Sequence, residues 1–457
     1  MPEIPLSGAQ YDLTPVSTQR AVNIEPIVLE AASLTKFRMR QTPGLTSFAT
    51  VTGAPRGALA MGDYLYVVQG GYLSQINSSG TVTELGAIAG SDRVSMAANG
   101  RYVVVVNGTE GYYYDATGAS FAQITDADYE PADIVSYLDG YFVFHATATD
   151  NLFISGLNTP LTYDATDVQA KGGTPDLLVT FVPINGDLLL LGGKNGRFWR
   201  NVGNPDYPFQ NLEGSELQRG CPAKHSVASI DNSIIFLGDD GIVYWIEGYV
   251  PKRVSNHALE EFITGLTEAQ VEAAYAFAYT QGGQYYYCLT LGSRTWVYNR
   301  TQSLLIQQSL WHERSSNDGI WRAATYANAF GKHLVGDTNT IWELDRDVYV
   351  EGSDTIRRTR RLAPLWAEDE TFSVAKLRLL MRVGTGTLTT APLIDLRTST
   401  DGGYTWTDPK SRSMGLLGDY ETNVIWRRLG RNDRKVFEFS WTSDANVELY
   451  GLFADAG

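Results

Sequence analysis

The sequence predicts an all-β protein: a β-propeller of about seven repeats, with a short helical insertion and a C-terminal antiparallel β-sandwich-like domain. Three observations lead there. Aromatic and β-branched runs of about five residues alternate with turn residues, a hairpin unit recurs roughly every 40 to 50 residues, and this pattern stops near residue 350. Because no single propeller blade buries both faces of its sheet, such repeats must stack in a closed ring.

The first repeat, residues 57–76, shows the pattern that the others follow. Three apolar or aromatic runs are separated by the corners Gly62-Asp63 and Gly70-Gly71. Such corners tolerate positive φ and are typical of tight hairpins between short strands. We therefore predict short strands joined by tight hairpins in this repeat, and no helix.

The same unit recurs around seven turn residues whose successive spacings are 38, 40, 46, 46, 51 and 48 residues. The turn residues are Gly62, Gly100, Gly140, Gly186, Asn232, Gly283 and Gly331. This spacing places the propeller at residues 53–350. Between the fifth and sixth repeats, Thr267 and Gln270 form a capping-box pattern, which predicts two short helices in an insertion at 255–278.

Two segments flank the propeller. Residues 1–52 form an N-terminal arm, and its last part, 45–51, is expected to add an outer strand to the final blade and close the ring. Residues 351–457 contain five alternating strands, which predict the sandwich-like domain. Between residues 356 and 435 there are 15 Lys or Arg against 9 Asp or Glu, whereas the whole chain has a net charge of −15. This asymmetry predicts two surfaces with different electrostatic partners.

The residue content predicts no catalytic, cofactor or metal site. The five histidines are scattered without paired spacing, and Cys221 and Cys288 lie in different repeats, which favours reduced cytosolic thiols. No apolar run approaches the roughly 20 residues that span a bilayer, so we expect a soluble protein made in the cytosol.

The sharpest local motif is residues 399–406, which match the Asp-box of sialidase propellers through Ser399, Asp401, Gly403 and Trp406. In that motif the Asp bonds the turn backbone and the Trp packs beneath it, so we expect a structural hairpin without a catalytic role. The motif occurs once and outside the ring, which favours the structural hairpin. A glycan-binding or glycan-cleaving (sialidase-like) propeller stays an alternative hypothesis.

The C-terminal arginines are the candidate partner contacts. They lie in two stretches and comprise Arg357, Arg358, Arg360, Arg361, Arg427, Arg428 and Arg431. Guanidinium groups pair with carboxylates or phosphates. For the first stretch, 357–361, the absence of flanking aromatic repeats favours an acidic protein surface over nucleic acid.

Several segments together resemble the packaged-DNA-stabilisation proteins of short-tailed bacteriophages, which form the tail hub, or nozzle, below the portal. The most specific are 90–97 and 426–431. The resemblance also rests on Met1-Pro2, 17–26, 43–45, 56–57, 70–73, 254–275 and 424–425.

This resemblance implies a structural virion protein, made in the host bacterial cytoplasm and assembled into the phage tail. It implies a homo-hexameric ring that docks on the adaptor ring protein below the portal and continues the channel for packaged double-stranded DNA, which it contacts non-specifically. The tail needle or plug and the tailspikes or tail fibres are the other implied partners, with no membrane in the assembled state. A cellular propeller scaffold remains a third hypothesis.

Overall fold

The computed structural model describes residues 3–6, 10–14, 16–29, 35–172, 175–205, 207–367, 370–387 and 389–456. Met1-Pro2, which carry part of the resemblance, and residues 30–34 of the predicted arm lie outside the described residues. The described chain is all-β apart from three short helices.

Six propeller blades are antiparallel sheets of four consecutive strands. The first three are β7–β10 (Pro55–Met61, Tyr64–Gln69, Tyr72–Ile76, Val82–Ala87), β11–β14 (Ser95–Ala98, Tyr102–Val106, Gly111–Asp115, Ser120–Gln123) and β15–β18 (Ala132–Leu138, Tyr141–Ala146, Asn151–Ile154, Val168–Ala170). The others are β19–β22 (Leu178–Ile184, Asp187–Gly192, Gly196–Asn201, Phe209–Asn211), β23–β26 (Ala228–Ile230, Ser233–Leu237, Val243–Glu247, Val250–Arg253) and β27–β30 (Tyr275–Gln281, Gln284–Leu291, Arg294–Asn299, Trp311–Arg314).

The last repeat is completed by the N-terminal arm. It supplies β31 (Thr325–Ala329), β32 (Lys332–Asp337) and β33 (Thr340–Asp345), and the arm strand β6 (Gly44–Thr50) pairs antiparallel with β33. The expected ring-closing strand at 45–51 is thereby confirmed. The expectation of about seven like repeats is corrected to six blades of consecutive strands, because the last repeat has only three strands of its own.

The turns and the strand composition explain why these segments form blades. All seven predicted turn residues have positive φ, from 53° at Asn232 to 91° at Gly100. The second strand of a blade is sandwiched between neighbouring sheets, and β12, β20 and β24 are buried along their whole length. Continuous apolar runs such as Leu188 to Leu191 therefore sit in the core between blades.

The helical insertion is shorter than predicted. Helix α1 (His257–Thr264) is capped by Asn256, and α2 (Glu268–Glu272) has the capping box of Thr267 and Gln270, as expected. The predicted insertion reached residue 278, but strand β27 already begins at Tyr275, because this segment is the inner strand of the sixth blade. A third helix, α3 (Arg300–Ile306), was not predicted and connects β29 to β30.

The C-terminal region and most of the arm form a two-sheet sandwich. The arm strands are β1 (Glu3–Ile4), β2 (Tyr11–Leu13), β3 (Ser17–Val22), β4 (Ile24–Val28) and β5 (Phe37–Gln41). The linker and C-terminal strands are β34 (Val350–Glu351), β35 (Asp354–Thr355), β36 (Arg357–Arg361), β37 (Leu365–Trp366), β38 (Phe372–Met381), β39 (Leu393–Ser399), β40 (Lys410–Ser413), β41 (Val424–Arg427), β42 (Arg431–Asn432), β43 (Arg434–Thr442) and β44 (Glu448–Ala456).

One sheet of the sandwich is continuous with the propeller. The order β30-β3-β36-β43-β39-β40 extends the sixth blade into the sandwich, with β3 as the shared strand. The second sheet has the order β4-β5-β44-β38-β41, and both sheets bury a common core that includes Trp426, Phe437 and Phe439. The strands β40 and β41 thus form the edges of the sandwich away from the propeller.

Candidate functional site

Three buried glutamates fasten the arm, the linker and the sixth and seventh repeats to one another. The first, Glu25 in β4, accepts hydrogen bonds from Arg40 Nη2 at 2.6 Å, Tyr286 Oη at 3.0 Å and Asn299 Nδ2 at 3.1 Å. Burial alone would raise the pKa of Glu25, but the charge and hydrogen bonds of Arg40 hold that pKa below its usual value. The arm is therefore tied to the sixth blade through a buried, charged carboxylate.

The second glutamate, Glu313 in β30, lies where the sixth blade meets β3. Its carboxylate pairs with Arg20 Nη2 at 2.9 Å and Arg294 Nη1 at 3.1 Å, and it accepts a hydrogen bond from Gln10 Nε2 at 2.5 Å. Two of these donors come from the arm and one from the blade. They stabilise the single parallel contact between β3 and β30, Val22 with Glu313.

The third glutamate, Glu351, holds the linker strand β34 against the loop between β30 and β31. It accepts hydrogen bonds from Ser316 Oγ at 2.6 Å and Trp321 Nε1 at 3.1 Å, and it pairs with Arg322 Nε at 3.1 Å. The side chain is only 3% exposed, so these donors replace water as its partners.

Two of the predicted partner-contact arginines are buried, and this part of the prediction is corrected. Arg358 donates to the carbonyl oxygens of Tyr349 (2.7 Å) and Ser443 (2.9 Å), and Arg360 Nε donates to that of Leu6 (2.8 Å). Burial lowers the pKa of both guanidinium groups to about 9, so both stay charged at neutral pH. Both arginines hold the arm and linker in place and offer no surface to a partner.

Arg361, on the same strand, belongs to an internal pair. Its Nη2 lies 2.9 Å from Glu438, which also pairs with Arg397. Both guanidinium groups stack on Trp406, with centroid distances of 4.8 Å for Arg361 and 5.5 Å for Arg397. Arg361 thus couples β36 to the Asp-box hairpin.

The Asp-box segment folds as a closed turn. Asp401 accepts hydrogen bonds from Ser399 Oγ at 2.7 Å and from the backbone N–H of Thr405, while Gly403 N–H donates to Ser399 Oγ at 2.8 Å. Trp406 Nε1 donates to the carbonyl of Gly403 at 2.9 Å. The hydrogen bonds from Thr405 and Ser399 lower the pKa of Asp401. The side chains of Ser399, Asp401 and Trp406 therefore make their hydrogen bonds within the turn itself.

The remaining predicted arginines lie at the surface. Arg357 pairs with Asp318 at 3.3 Å, whereas Arg427, Arg428 and Arg431 are exposed and make no ion pair within the described parts of the chain. Arg428 has a φ of +58°, which an arginine adopts at some cost in strain. These three arginines keep the partner-contact role as a proposal.

The axis of the propeller is crossed by side chains. The first strands of neighbouring blades contact one another, as β7 does with β11 and β31. Where these strands begin, Arg93 stacks on Tyr275 at 3.6 Å and donates to the carbonyl of Ala324, and Lys224 pairs with Asp133 at 3.1 Å. These contacts join blades that are not neighbours in the ring, so they close one end of its axis.

The thiols and histidines add no site of known chemistry. Burial raises the pKa of Cys221 to about 11, which leaves this thiol protonated and unreactive at neutral pH. Within the ranges that the structure describes, no group of three or more His, Cys, Asp or Glu is arranged to hold a metal ion. Nor does any helix in those ranges have the length and apolarity to cross a membrane.

The sequence reasoning missed the buried glutamates. For Glu25 the available signal is a lone acid inside an apolar strand, Ile24-Glu25-Pro26-Ile27, whereas Glu313 lies between His312 and Arg314 and gives no such signal. An acid at such a position requires a buried cation, since an isolated charge is costly to bury. The sequence does not identify the cation, because the separations are large and different: Arg40 follows Glu25, whereas Arg20 precedes Glu313.

Together, the ring closed by the arm strand β6, the sheet shared by propeller and sandwich, and the internally paired charges define an all-β propeller–sandwich protein whose charged clusters hold the fold together. Two family models match the chain: bacteriophage P22 Gp10, beta-propeller, over residues 3–349, and bacteriophage P22 Gp10, beta-sandwich, over residues 359–457. The chain therefore belongs to the P22 Gp10 family of phage DNA-stabilisation, or tail hub, proteins.

Other comparisons carry no argument about this chain. No curated protein sequence matches the chain. Among solved structures, YCF48 from Cyanidioschyzon merolae is 10% identical, with 66% of this chain and 98% of that chain covered and a TM-score of 0.44. BamB from Moraxella catarrhalis is 11% identical, with 72% and 97% covered and a TM-score of 0.39. At these values neither structure supports an argument about function.

Proposed function

We propose that this structural phage protein is the tail hub, or nozzle, of a short-tailed phage. A ring of six copies docks on the adaptor ring below the portal, extends the DNA channel and retains the packaged genome. It also attaches the tail needle and the tailspikes. The observation that carries the proposal is the pair of family matches, which together span almost the whole chain in the order propeller then sandwich.

The closed axis supports a channel formed between copies. The major groove of a DNA double helix is about 12 Å wide, and the whole duplex is wider than its groove. The contacts of Arg93 with Tyr275 and of Lys224 with Asp133 obstruct the centre of a single propeller. DNA must therefore pass along the outside of the propellers, through the middle of a ring of copies.

The internal charge clusters suit a wall that bears pressure. Glu25, Glu313 and Glu351 each join segments that are distant in the chain, and each is almost fully buried. Breaking such a pair by removing one partner is costly, so the arm, the propeller and the sandwich resist separation. A hub that retains DNA by contact rather than by chemistry needs this rigidity.

Attachment to the head gives a direct test. Purified protein is sedimented with DNA-filled, tailless heads that carry portal and adaptor, and the bound amount is measured against protein concentration. We expect saturable binding at a fixed number of copies per head. Binding that does not saturate, or no binding to heads of the cognate phage, would rule out the hub role and favour glycan screening.

The exposed arginines supply the matched variants. Charge reversal of Arg427 and Arg428 to Glu is expected to weaken binding to heads by about tenfold or more, because repulsion replaces attraction at an interface with an acidic partner. The control reverses Lys36 and Arg346, two exposed cations that have no ion pair within the described residues and lie outside the C-terminal strands. If R427E/R428E joins heads as the control does, the assignment of these residues is wrong.

A further inference from the structure

The edge of the sandwich away from the propeller carries an unusual excess of unpaired positive charge. We define this basic edge by cations of β38, β40, β41, β42, the start of β43 and the segment between β41 and β42. Its members are Lys376, Lys410, Arg412, Arg427, Arg428, Arg431 and Arg434. None of them forms an ion pair with a carboxylate among the described residues, whereas most cations of the propeller do.

The strand pairing gathers these cations on one side of the molecule. Lys376 lies directly opposite Arg427 in the β38–β41 pair, and the backbone N–H of Arg428 donates to the carbonyl of Ala375 at 3.0 Å. Arg412 Nε reaches the carbonyl of Ile425 and so connects β40 to β41. Cations on edge strands discourage strand addition.

A large aromatic side chain lies exposed beside the basic edge. Trp366, in β37, is 63% exposed and pairs in register with Arg434 in β43. Tryptophan and arginine together are the residue types most enriched at energetically dominant positions of protein interfaces. A single exposed Trp is no evidence of an interface, but Trp366 beside several unpaired arginines has the composition of a surface that binds a protein partner.

A surface of opposite charge lies on the propeller of the same chain. A cleft of about 490 Å³ separates the helical insertion from the corners of the fourth and fifth blades. Its apolar lining includes Val179, Ile263 and Leu266, and its charged lining comprises four acids, Asp239, Asp240, Glu268 and Glu272, and one cation, Lys194. Asp239 and Asp240 pair with Lys194 and Arg219, whereas Glu268 and Glu272 have no ion pair within the described residues.

The geometry points to a second copy of this chain as the partner: we infer that the basic edge of one copy, with Trp366, docks in the acidic cleft of the next. The cleft offers an apolar floor for an aromatic ring and carboxylates for the surrounding arginines. Because the two surfaces differ and lie on different domains, the contact repeats head to tail and generates a ring when the rotation closes. This inference rests on the proposed ring and names the surfaces that build it.

A charge-exchange experiment tests the inference on the full chain. Sedimentation velocity over a concentration series is measured for wild type, for R427E/R431E, for E268K/E272K, and for an equimolar mixture of the two variants. Each variant alone is expected to self-associate about tenfold more weakly or worse. The mixture is expected to recover wild-type association to within about threefold. In the mixture, the reversed edge of R427E/R431E meets the reversed cleft of E268K/E272K, and the unchanged cleft of the first variant meets the unchanged edge of the second.

Controls separate this result from unfolding and from general charge effects. K36E/R346E should associate as wild type does, and near-ultraviolet circular dichroism should be the same for all variants. If charge reversal disturbs folding, the milder R427Q/R431Q and E268Q/E272Q should each still weaken association. A wild type that stays monomeric, variants that associate normally, or a mixture that fails to recover would each overturn the inference.

Two further readouts separate self-association from nucleic-acid binding and from docking on heads. If R427E/R431E loses binding to double-stranded DNA but self-associates normally, the basic edge binds nucleic acid and the inference is wrong. Heads carrying portal and adaptor then separate the two proposals. If wild type docks on heads but charge reversal on neither surface changes self-association, the hub function stands and this interface is wrong. If the mixture recovers association but wild type does not dock on heads, the interface stands and the hub function is wrong.

Discussion

Replacing Glu25 with Gln tests the structural role of the buried charge clusters. The substitution keeps the shape of the side chain but removes the charge that faces Arg40, 2.6 Å away. Breaking a buried ion pair from one side costs about 3–5 kcal/mol. We expect about 3 kcal/mol in the free energy of unfolding, at the low end, because the Gln oxygen still accepts a hydrogen bond and Arg40 is 16% exposed.

The assay is urea denaturation followed by tryptophan fluorescence, for E25Q, R40M and the double variant. Since the double variant leaves no unpaired buried charge, its loss should be smaller than the sum of the single losses by about 1–3 kcal/mol. Glu247→Gln, in an exposed pair with Lys252, should leave the transition unchanged. Additive losses in the double variant, or a loss for E25Q no larger than that for the control, would refute the reasoning.

The same pair predicts a pH dependence with a defined sign. The pKa of Glu25 is lower in the folded chain than in the unfolded chain. The pair therefore stabilises the fold at pH values above the unfolded pKa, and this contribution is lost as the pH falls through the folded pKa. The stability difference between wild type and E25Q should shrink in acid, and a constant difference would contradict the assignment.

Three other predictions concern single residues. Burial lowers the pKa of His312 to about 4 from 6.5, so stability should fall by about 3 kcal/mol as the pH drops between these values, and His312→Gln should flatten that fall in denaturation curves. Asp401→Ala should speed amide hydrogen exchange at Thr405, whose N–H donates to the carboxylate, and leave the propeller unchanged. Gly44→Ala should displace β6, because its Cβ would lie 2.3 Å from the carbonyl oxygen of Val350, and limited proteolysis should then cut the arm faster.

The propeller was largely predictable because its signals are local. Positive φ at Gly62, Gly100 and the other turn residues follows from residue type, and it defines each hairpin without knowledge of distant contacts. The closing strand β6 was predictable for the same reason, since its apolar pattern is visible in 45–51. The number of blades with four consecutive strands was not, because a recurring turn residue does not show whether its repeat supplies a fourth strand of its own.

The candidate contact residues were predicted less well because their environments are set by distant parts of the chain. Arg357, Arg358 and Arg360 look alike in sequence, yet alternate residues of β36 face opposite sides. Arg358 and Arg360 are buried, and they donate hydrogen bonds to the carbonyl oxygens of Ser443 and Leu6, which lie far away in the chain. Helix α3 was missed because its segment carries no clear apolar period, and Asn299 caps it from the end of a strand.

Retention of packaged DNA tests the proposed hub function most directly. Tailless, DNA-filled heads with portal and adaptor are titrated with the purified protein, and the fraction of the genome that resists nuclease is measured. We predict that protection rises with bound protein and reaches a plateau when binding saturates. Heads that bind the protein at saturation but lose their DNA as fast as untreated heads would contradict a role in stabilising the packaged genome.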